Sequence, residues 1–312
     1  MCINPVKSGG GVKLLIDGKE YSELNLRIKS QDFKSDVLLP YKFSYGSAVV
    51  YNDELYILGG TDTNTDTYHY KYIDEVTQWK SVSTLPYSFK QSCAVVYNNN
   101  IHILGGSSYV PGQTSTFQTL LTNHYSWNGS EWTSVSTLPF YFVLGSAVIY
   151  NNEIHILGGG LSTSDLVNSI KHYKWNGSSW TSVSTLPFNF QCGAAVVYRN
   201  ELHIFGSQIV NNDKYHYKWN GSSWTSVCTT TINLRSTNNA VVYKDRIYIN
   251  AQYIMFDGNE WKYYRKAPFS IQTNDTEFVF NNRICVTDTI SEGSTSGKYH
   301  LWFLDNPILM LE

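Results

Sequence analysis

The hexapeptide IHILGG at residues 101–106 returns unchanged at residues 154–159, with YILGG at 56–60 and HIFG at 203–206 as near copies. Each copy belongs to a longer unit that reads LPxxFxxxxAVVYNNEIHILGG, then a variable stretch, then HYKWNGSSWTSVST, before the pattern begins again. From Gly59 to Gly105, Gly105 to Gly158 and Gly158 to Gly206 the spacings are 46, 53 and 48 residues. The inequality lies almost wholly after the glycines, so insertions map to one loop of the unit, on the face where repeat architectures vary.

Within the third copy, residues 145–150 are small and apolar, as suits a strand crowded near an axis. Asn151-Asn152 supplies a turn, because Asn tolerates positive φ at low cost. Residues 153–157 make a second strand, and Gly158-Gly159-Gly160 lets the backbone leave the sheet. His172 to Trp175 forms a third strand, Asn176-Gly177 a turn of the type I′ kind, and residues 180–184 a fourth strand. A four-stranded sheet this small has an apolar face that it cannot bury alone, so successive units must stack.

Composition agrees with one all-β body. At 312 residues the chain can bury roughly three quarters of its unfolded surface without metal or disulfide staples. A net charge of −2, with 15% charged residues, supplies no electrostatic basis for binding nucleic acid. No apolar run reaches membrane-spanning length, so no membrane insertion is expected. The start MCINPVKSGG lacks the apolar core of a secretory signal, which places the expected location in the cytoplasm or a virion assembled there. Cys2, Cys93, Cys192, Cys228 and Cys285 are odd in number and irregularly spaced, unlike a disulfide framework.

A period near 45 to 50 residues with four antiparallel strands per unit matches a β-propeller blade. The motif positions resemble the kelch-repeat family: an apolar strand ending in two glycines, a downstream Tyr and then a Trp. They read Gly59-Gly60, Tyr70, Trp79; Gly105-Gly106, Tyr125, Trp132; and Gly158-Gly159, Tyr173, Trp180. A fourth unit keeps Gly206, Tyr217 and Trp224 but has Ser207 as second glycine. Two degenerate units follow, at residues 240–243, 246–250 and Trp261, then at 278–280, 283–287 and 299–303. The resemblance covers residues 31–304 and implies an all-β, six-bladed propeller of four-stranded blades.

Residues 32–40 align with residues 131–139, so the chain enters on a fourth strand that has no preceding three. The sixth unit has three strands and lacks a fourth before residues 305–307. Pairing the two closes the ring with no open edge. Residues 1–30 are read as an extension carrying a hairpin (12–16, Asp17-Gly18, 20–28), a candidate point of attachment to a larger assembly, and 305–312 as a tail.

His102, His155 and His203 share one repeat position, and His69, His124, His172 and His216 another. Equivalent residues of a ring lie on a circle, so they do not converge on one ion, and zinc needs three or four ligands at one point. The Cys–Tyr and dual-His site of kelch-type copper oxidases has no counterpart here. Residues 62–66 (DTNTD) alternate oxygen ligands as calcium loops do, but lack the glycine and terminal Glu, and read as an ordinary polar loop. No nucleophile motif or phosphate loop occurs, so neither catalytic residues nor a cofactor or metal is expected. Asp275 and Glu277 near an inner strand keep open a sugar-processing enzyme of the sialic-acid mutarotase kind, another six-bladed kelch propeller.

The loops from a fourth strand to the next first strand share a side with those from second to third strand. They carry Lys42, Tyr45, Lys90, Gln91, Gln191, Arg235 and Gln272, which differ while the flanking LP and AVVY hardly change. Variation on a rigid repeat marks these seven as the expected contacts to a protein or glycan. The resemblance implies a non-enzymatic interaction module. The low-charge surface rich in Asn, Ser, Thr and Tyr resembles propellers of bacteriophage particles, with a host-attachment role; an intracellular scaffold is the alternative.

Overall fold

In a computed structural model of the chain the described residues are 4–8, 11–16, 19–21, 34–60, 67–74, 78–109, 118–160, 169–207, 214–230, 232–234, 240–249, 254–263, 276–288 and 300–304. They divide into two compact units, Met1–Phe33 and Lys34–Glu312. The first holds a three-stranded antiparallel sheet of Asn4–Ser8, Gly11–Ile16 and Lys19–Tyr21. The expected hairpin of 12–16 and 20–28 matches the second strand and the start of the third, whereas the strand Asn4–Ser8 is not expected from the sequence; the later part of the second arm, 22–28, lies outside the described residues.

The second unit is an all-β propeller. Its described residues form six four-stranded antiparallel sheets, the blades, numbered I to VI, with a small side pair. Sheet I is built from Ser47–Tyr51, Glu54–Leu58, Tyr68–Tyr72 and Trp79–Thr84. Cys93–Tyr97, Asn100–Leu104, Asn123–Trp127 and Trp132–Thr137 form sheet II. Sheet III contains Ser146–Tyr150, Glu153–Leu157, Lys171–Trp175 and Trp180–Thr185, and sheet IV Ala194–Tyr198, Glu201–Phe205, Tyr215–Trp219 and Trp224–Thr229. Sheet V comprises Ala240–Tyr243, Arg246–Ile249, Ile254–Phe256 and Trp261–Tyr263. Its third strand, Ile254–Phe256, is missed by the sequence pattern because the His-Tyr signature of the other third strands is gone. Sheet VI takes Glu277–Phe280, Arg283–Asp288 and His300–Leu304 from the end of the chain, and its outer strand is Lys34–Leu38. Leu301 faces Val37 and His300 faces Leu38 in that pairing.

First strands of successive sheets touch one another around the ring, and that of sheet VI touches that of sheet I. Between neighbouring blades the apolar faces meet. Sheets I and II enclose Val49, Tyr51, Phe89, Ile101, Ile103 and Trp127. Sheets VI and I enclose Val37, Leu55, Ile57 and Phe278. The core is thus divided among the blade interfaces, and each fully buried Ile or Phe there contributes about 1.5 to 3 kcal/mol.

Two kinds of turn join the strands. Between first and second strands both central residues have φ of 46 to 62°, at Asn52-Asp53, Asn98-Asn99, Asn151-Asn152, Arg199-Asn200, Lys244-Asp245 and Asn281-Asn282. These are the left-handed pairs of type I′ hairpins, a conformation Asn and Asp tolerate best. The Asn-Gly turn between third and fourth strands differs from expectation. Only Gly177 is left-handed, and Asn176 instead caps a longer turn: its Oδ1 accepts from the Ser178 and Ser179 N–H groups at 2.9 and 3.0 Å. The Asn side chain here satisfies backbone donors, a stronger use of it than adopting positive φ itself.

The region 107–123, read from sequence as one long loop, contains the side pair Ser107–Tyr109 and Gln118–Leu120. No helix among the described residues is long and apolar enough to cross a membrane.

Candidate binding face

The loops entering the first strands are anchored by one aromatic each: Phe43, Phe89, Phe142 and Phe190 are fully buried. Each Phe of blades II to IV also passes close over the glycine pair of the preceding blade. Gly60 N–H donates to the Phe89 carbonyl at 2.9 Å, Gly106 to Phe142 at 2.6 Å and Gly159 to Phe190 at 2.9 Å. A Cβ on Gly59, whose φ is +60°, would lie 2.1 Å from the Phe89 oxygen. The first glycine is therefore required by close approach as well as by backbone conformation. These contacts put the two kinds of connection on one side of the ring.

The residue two places after each anchoring Phe is left-handed although none is glycine: Tyr45 (φ 61°), Gln91 (54°), Leu144 (55°) and Cys192 (50°). Positive φ costs roughly 1 to 2 kcal/mol for such residues. The cost is offset by a backbone chain that runs from blade to blade. Gln91 N–H donates to the Tyr45 carbonyl at 2.9 Å, Leu144 to Gln91 at 3.0 Å and Cys192 to Leu144 at 2.8 Å. The four loops are thereby tied into one arc around the axis, which sequence reasoning did not foresee.

Of the seven expected contact residues the arc brings three together. Lys90 Nζ stands 5.5 Å from the centre of the Tyr45 ring, and Gln91 follows Lys90 directly. Gln91 Oε1 accepts from Ser107 Oγ at 3.1 Å, which orients its amide. Lys42 is exposed on the loop before Phe43. Gln191 is 5% exposed, its Nε2 bonded to the Gly160 carbonyl and its backbone N–H to Ser207 Oγ at 3.2 Å. Its side chain holds the neighbouring connection rather than facing solvent. Arg235 and Gln272 lie outside the described residues, as do Asp275 and the DTNTD loop.

The histidines come together in a way equivalent repeat positions do not suggest. Within a blade the two sets pair: His102 Nδ1 to His124 Nε2, His155 Nδ1 to His172 Nε2 and His203 Nδ1 to His216 Nε2, each at 2.8 Å. The outer member then meets a serine, His124 Nδ1 to Ser136 Oγ at 2.8 Å and His172 Nδ1 to Ser184 Oγ at 2.9 Å. Each serine oxygen accepts the indole N–H of the next blade, Trp180 on Ser136 and Trp224 on Ser184, both at 3.0 Å. The indole N–H can only donate, whereas the serine hydroxyl and the two imidazoles can each donate or accept, according to the tautomers. The result is a continuous Trp–Ser–His–His relay of hydrogen bonds through the blade interface.

In sheet IV Cys228 replaces the serine, and Trp261 Nε1 donates straight to His216 Nδ1 at 3.1 Å. The signal in sequence was the register itself, since the serine directly faces the histidine across the third and fourth strands. Burial holds the histidines neutral, with His102, His155 and His203 at about 4, His124 and His172 at about 3 and His216 at about 2. No group of three or more His, Cys, Asp or Glu side chains that could hold a metal occurs among the described residues. The imidazole nitrogens at the heart of each pair are spent on each other.

Glu277 is buried on the first strand of sheet VI, in register where the other blades carry Ala48, Ala94, Ala147, Ala195 and Ala240.

Among solved structures the chain is similar to that reported as "Structure of YjhT", with a TM-score of 0.67 and 13% identity over 85% of this chain and 95% of the other. At that identity the likeness is one of fold, that of a β-propeller. No family model matches the sequence. No curated protein matches it either.

Proposed function

We propose that the chain is a six-bladed kelch-type propeller, closed by its N-terminal strand, that acts as a non-enzymatic interaction module. Its loop face binds a protein or glycan through Tyr45, Lys90 and their neighbours. The observation that carries this reading is the hydrogen-bonded arc from Tyr45 to Cys192, which holds four variable loops at fixed positions. Strained backbone at consecutive loops is a feature of binding sites, where preorganisation is worth its cost. Lys90 over the Tyr45 ring adds a cation and an aromatic surface of the sort that dominates interface energetics. The setting we propose is a bacteriophage particle, with residues 1–30 as the attachment to it; the low-charge, Asn/Ser/Thr/Tyr-rich composition supports it.

The test is binding of labelled protein to a glycan array and to whole bacterial cells. Lys90→Ala and Tyr45→Ala should each reduce binding about tenfold, the loss of a desolvated contact of roughly 1 to 2 kcal/mol. Asn176→Ser, on the opposite face, should leave binding unchanged. Binding lost through Asn176→Ser and untouched by both loop substitutions would place the partner on the other side and sink the proposal.

A further inference from the structure

The repeat provides its own control, and sheet I departs from it at two adjoining places. Tyr56 stands where sheets II to IV carry His102, His155 and His203. Lys80 stands where they carry Thr133, Thr181 and Thr225. Both line one open cleft of about 610 Å³ between sheets I and II, on the side of the tight turns and away from the loop face. Its floor is aromatic, with Tyr51, Tyr56 and Trp127 nearly fully buried.

Some polar groups of the cleft are already engaged and others are not. Both oxygens of Glu54 are used, Oε1 by Lys71 Nζ at 2.8 Å and Oε2 by the Tyr56 hydroxyl at 2.9 Å. Asn128 Oδ1 accepts from Ser130 and Glu131 N–H and from Ser130 Oγ, which leaves its amide N–H groups turned to other partners. Trp127 is 2% exposed, and its indole N–H has no acceptor. Lys80 has no ion-pair partner among the described residues and is exposed at the rim. The cationic Lys80, the Asn128 amide and the unpartnered Trp127 N–H are thus among the donors set about an aromatic floor. An unsatisfied buried N–H is costly, and a ligand oxygen that reaches it recovers that cost.

We propose that this cleft binds a monosaccharide-sized ligand that carries a carboxylate. Oxygen-rich groups satisfy Trp127 and Asn128, the carboxylate pairs with Lys80, and the C–H faces of the sugar ring lie against the aromatic floor. A bare anion would leave most of the volume empty, whereas sites of this size hold small organic ligands. The site lies on the opposite side from the loop-face contacts, so either can fail without the other.

The test is ligand-observed NMR on the full chain with three probes: D-glucuronate, methyl D-glucoside and acetate. Glucuronate should bind, and the neutral glucoside and the ringless acetate should each bind at least about tenfold more weakly. Lys80→Thr, which restores the repeat residue, should weaken glucuronate about tenfold and leave the glucoside unaffected. Trp127→Phe should weaken glucuronate by a similar factor; because it also opens space in the core between sheets I and II and lowers the melting temperature, binding is compared where both proteins are fully folded. Equal binding of acetate would make this a simple anion site and overturn the proposal. So would equal binding of the glucoside, indifference of glucuronate to Lys80→Thr, or no binding of glucuronate.

Discussion

Thr276 Oγ1 donates to the carbonyl of Gly46 at 3.4 Å across a separation of 230 residues. The same bond joins other blades, from Ser47 Oγ to Ser92 O at 3.2 Å and from Ser146 Oγ to Gly193 O at 2.9 Å, with the Cys93 thiol donating to Gly145 O at 3.3 Å. Thr276 therefore occupies in sheet VI the place Ser47 holds in sheet I, and the contact from last blade to first is of the same kind as the contacts between consecutive blades.

Closure at the rim rests on Lys34–Leu38, whose Val37 is buried and whose Leu38 carbonyl accepts the Trp79 indole N–H at 2.8 Å. Deleting residues 1–38 removes that strand, bares the edge of His300–Leu304 and should cause aggregation. Deleting residues 1–33 takes away only the first compact unit and should leave a soluble, cooperatively folding ring. Size-exclusion chromatography with light scattering distinguishes the two, and a monodisperse product of the longer deletion would contradict closure by this strand.

Acid should unfold the ring through its histidines. Burial lowers seven of them from 6.5, with His69 at about 4 alongside the six of the relays. As pH falls below 6.5 the unfolded chain takes up protons that the folded chain refuses. The stability is thus present above 6.5 and is lost as pH falls toward 4. Each site costs roughly 1.4 kcal/mol by pH 5.5, and seven together approach the whole stability of a typical domain, about 5 to 15 kcal/mol. Urea midpoints at pH 7.5, 6.5 and 5.5 should decline steeply over the last interval; a flat profile to pH 5 would show that the imidazoles are not held neutral.

Ser136→Ala breaks the relay at its centre and leaves the half-buried Trp180 N–H and the buried His124 Nδ1 without partners. The buried imidazole orphan costs about 1 to 3 kcal/mol and the half-buried indole about 1, so a loss of roughly 2 to 4 kcal/mol is expected. Cys228→Ala should cost far less, because Trp261 reaches His216 directly and the cysteine is 3.9 Å away. Equal losses for the two in chemical denaturation would mean that the serine contributes by packing alone.

The repeat of IHILGG and HYKWNGSSWTSVST was enough to determine strand order, the positions of the Asn turns and the need for units to stack, because strand periodicity and turn chemistry act over a few residues. It also placed Tyr45, Lys90 and Gln91 on one side of the ring. Sequence alone did not reveal the paired histidines, the backbone arc or the burial of Gln191. Each depends on how far one blade is rotated and displaced against the next, and a period contains no information about that distance. Tyr56 and Lys80 are visible as departures from the repeat in the bare sequence. Only the packing of sheet II against sheet I brings Trp127 beneath them, and with it the unpartnered donor that turns two substitutions into a site.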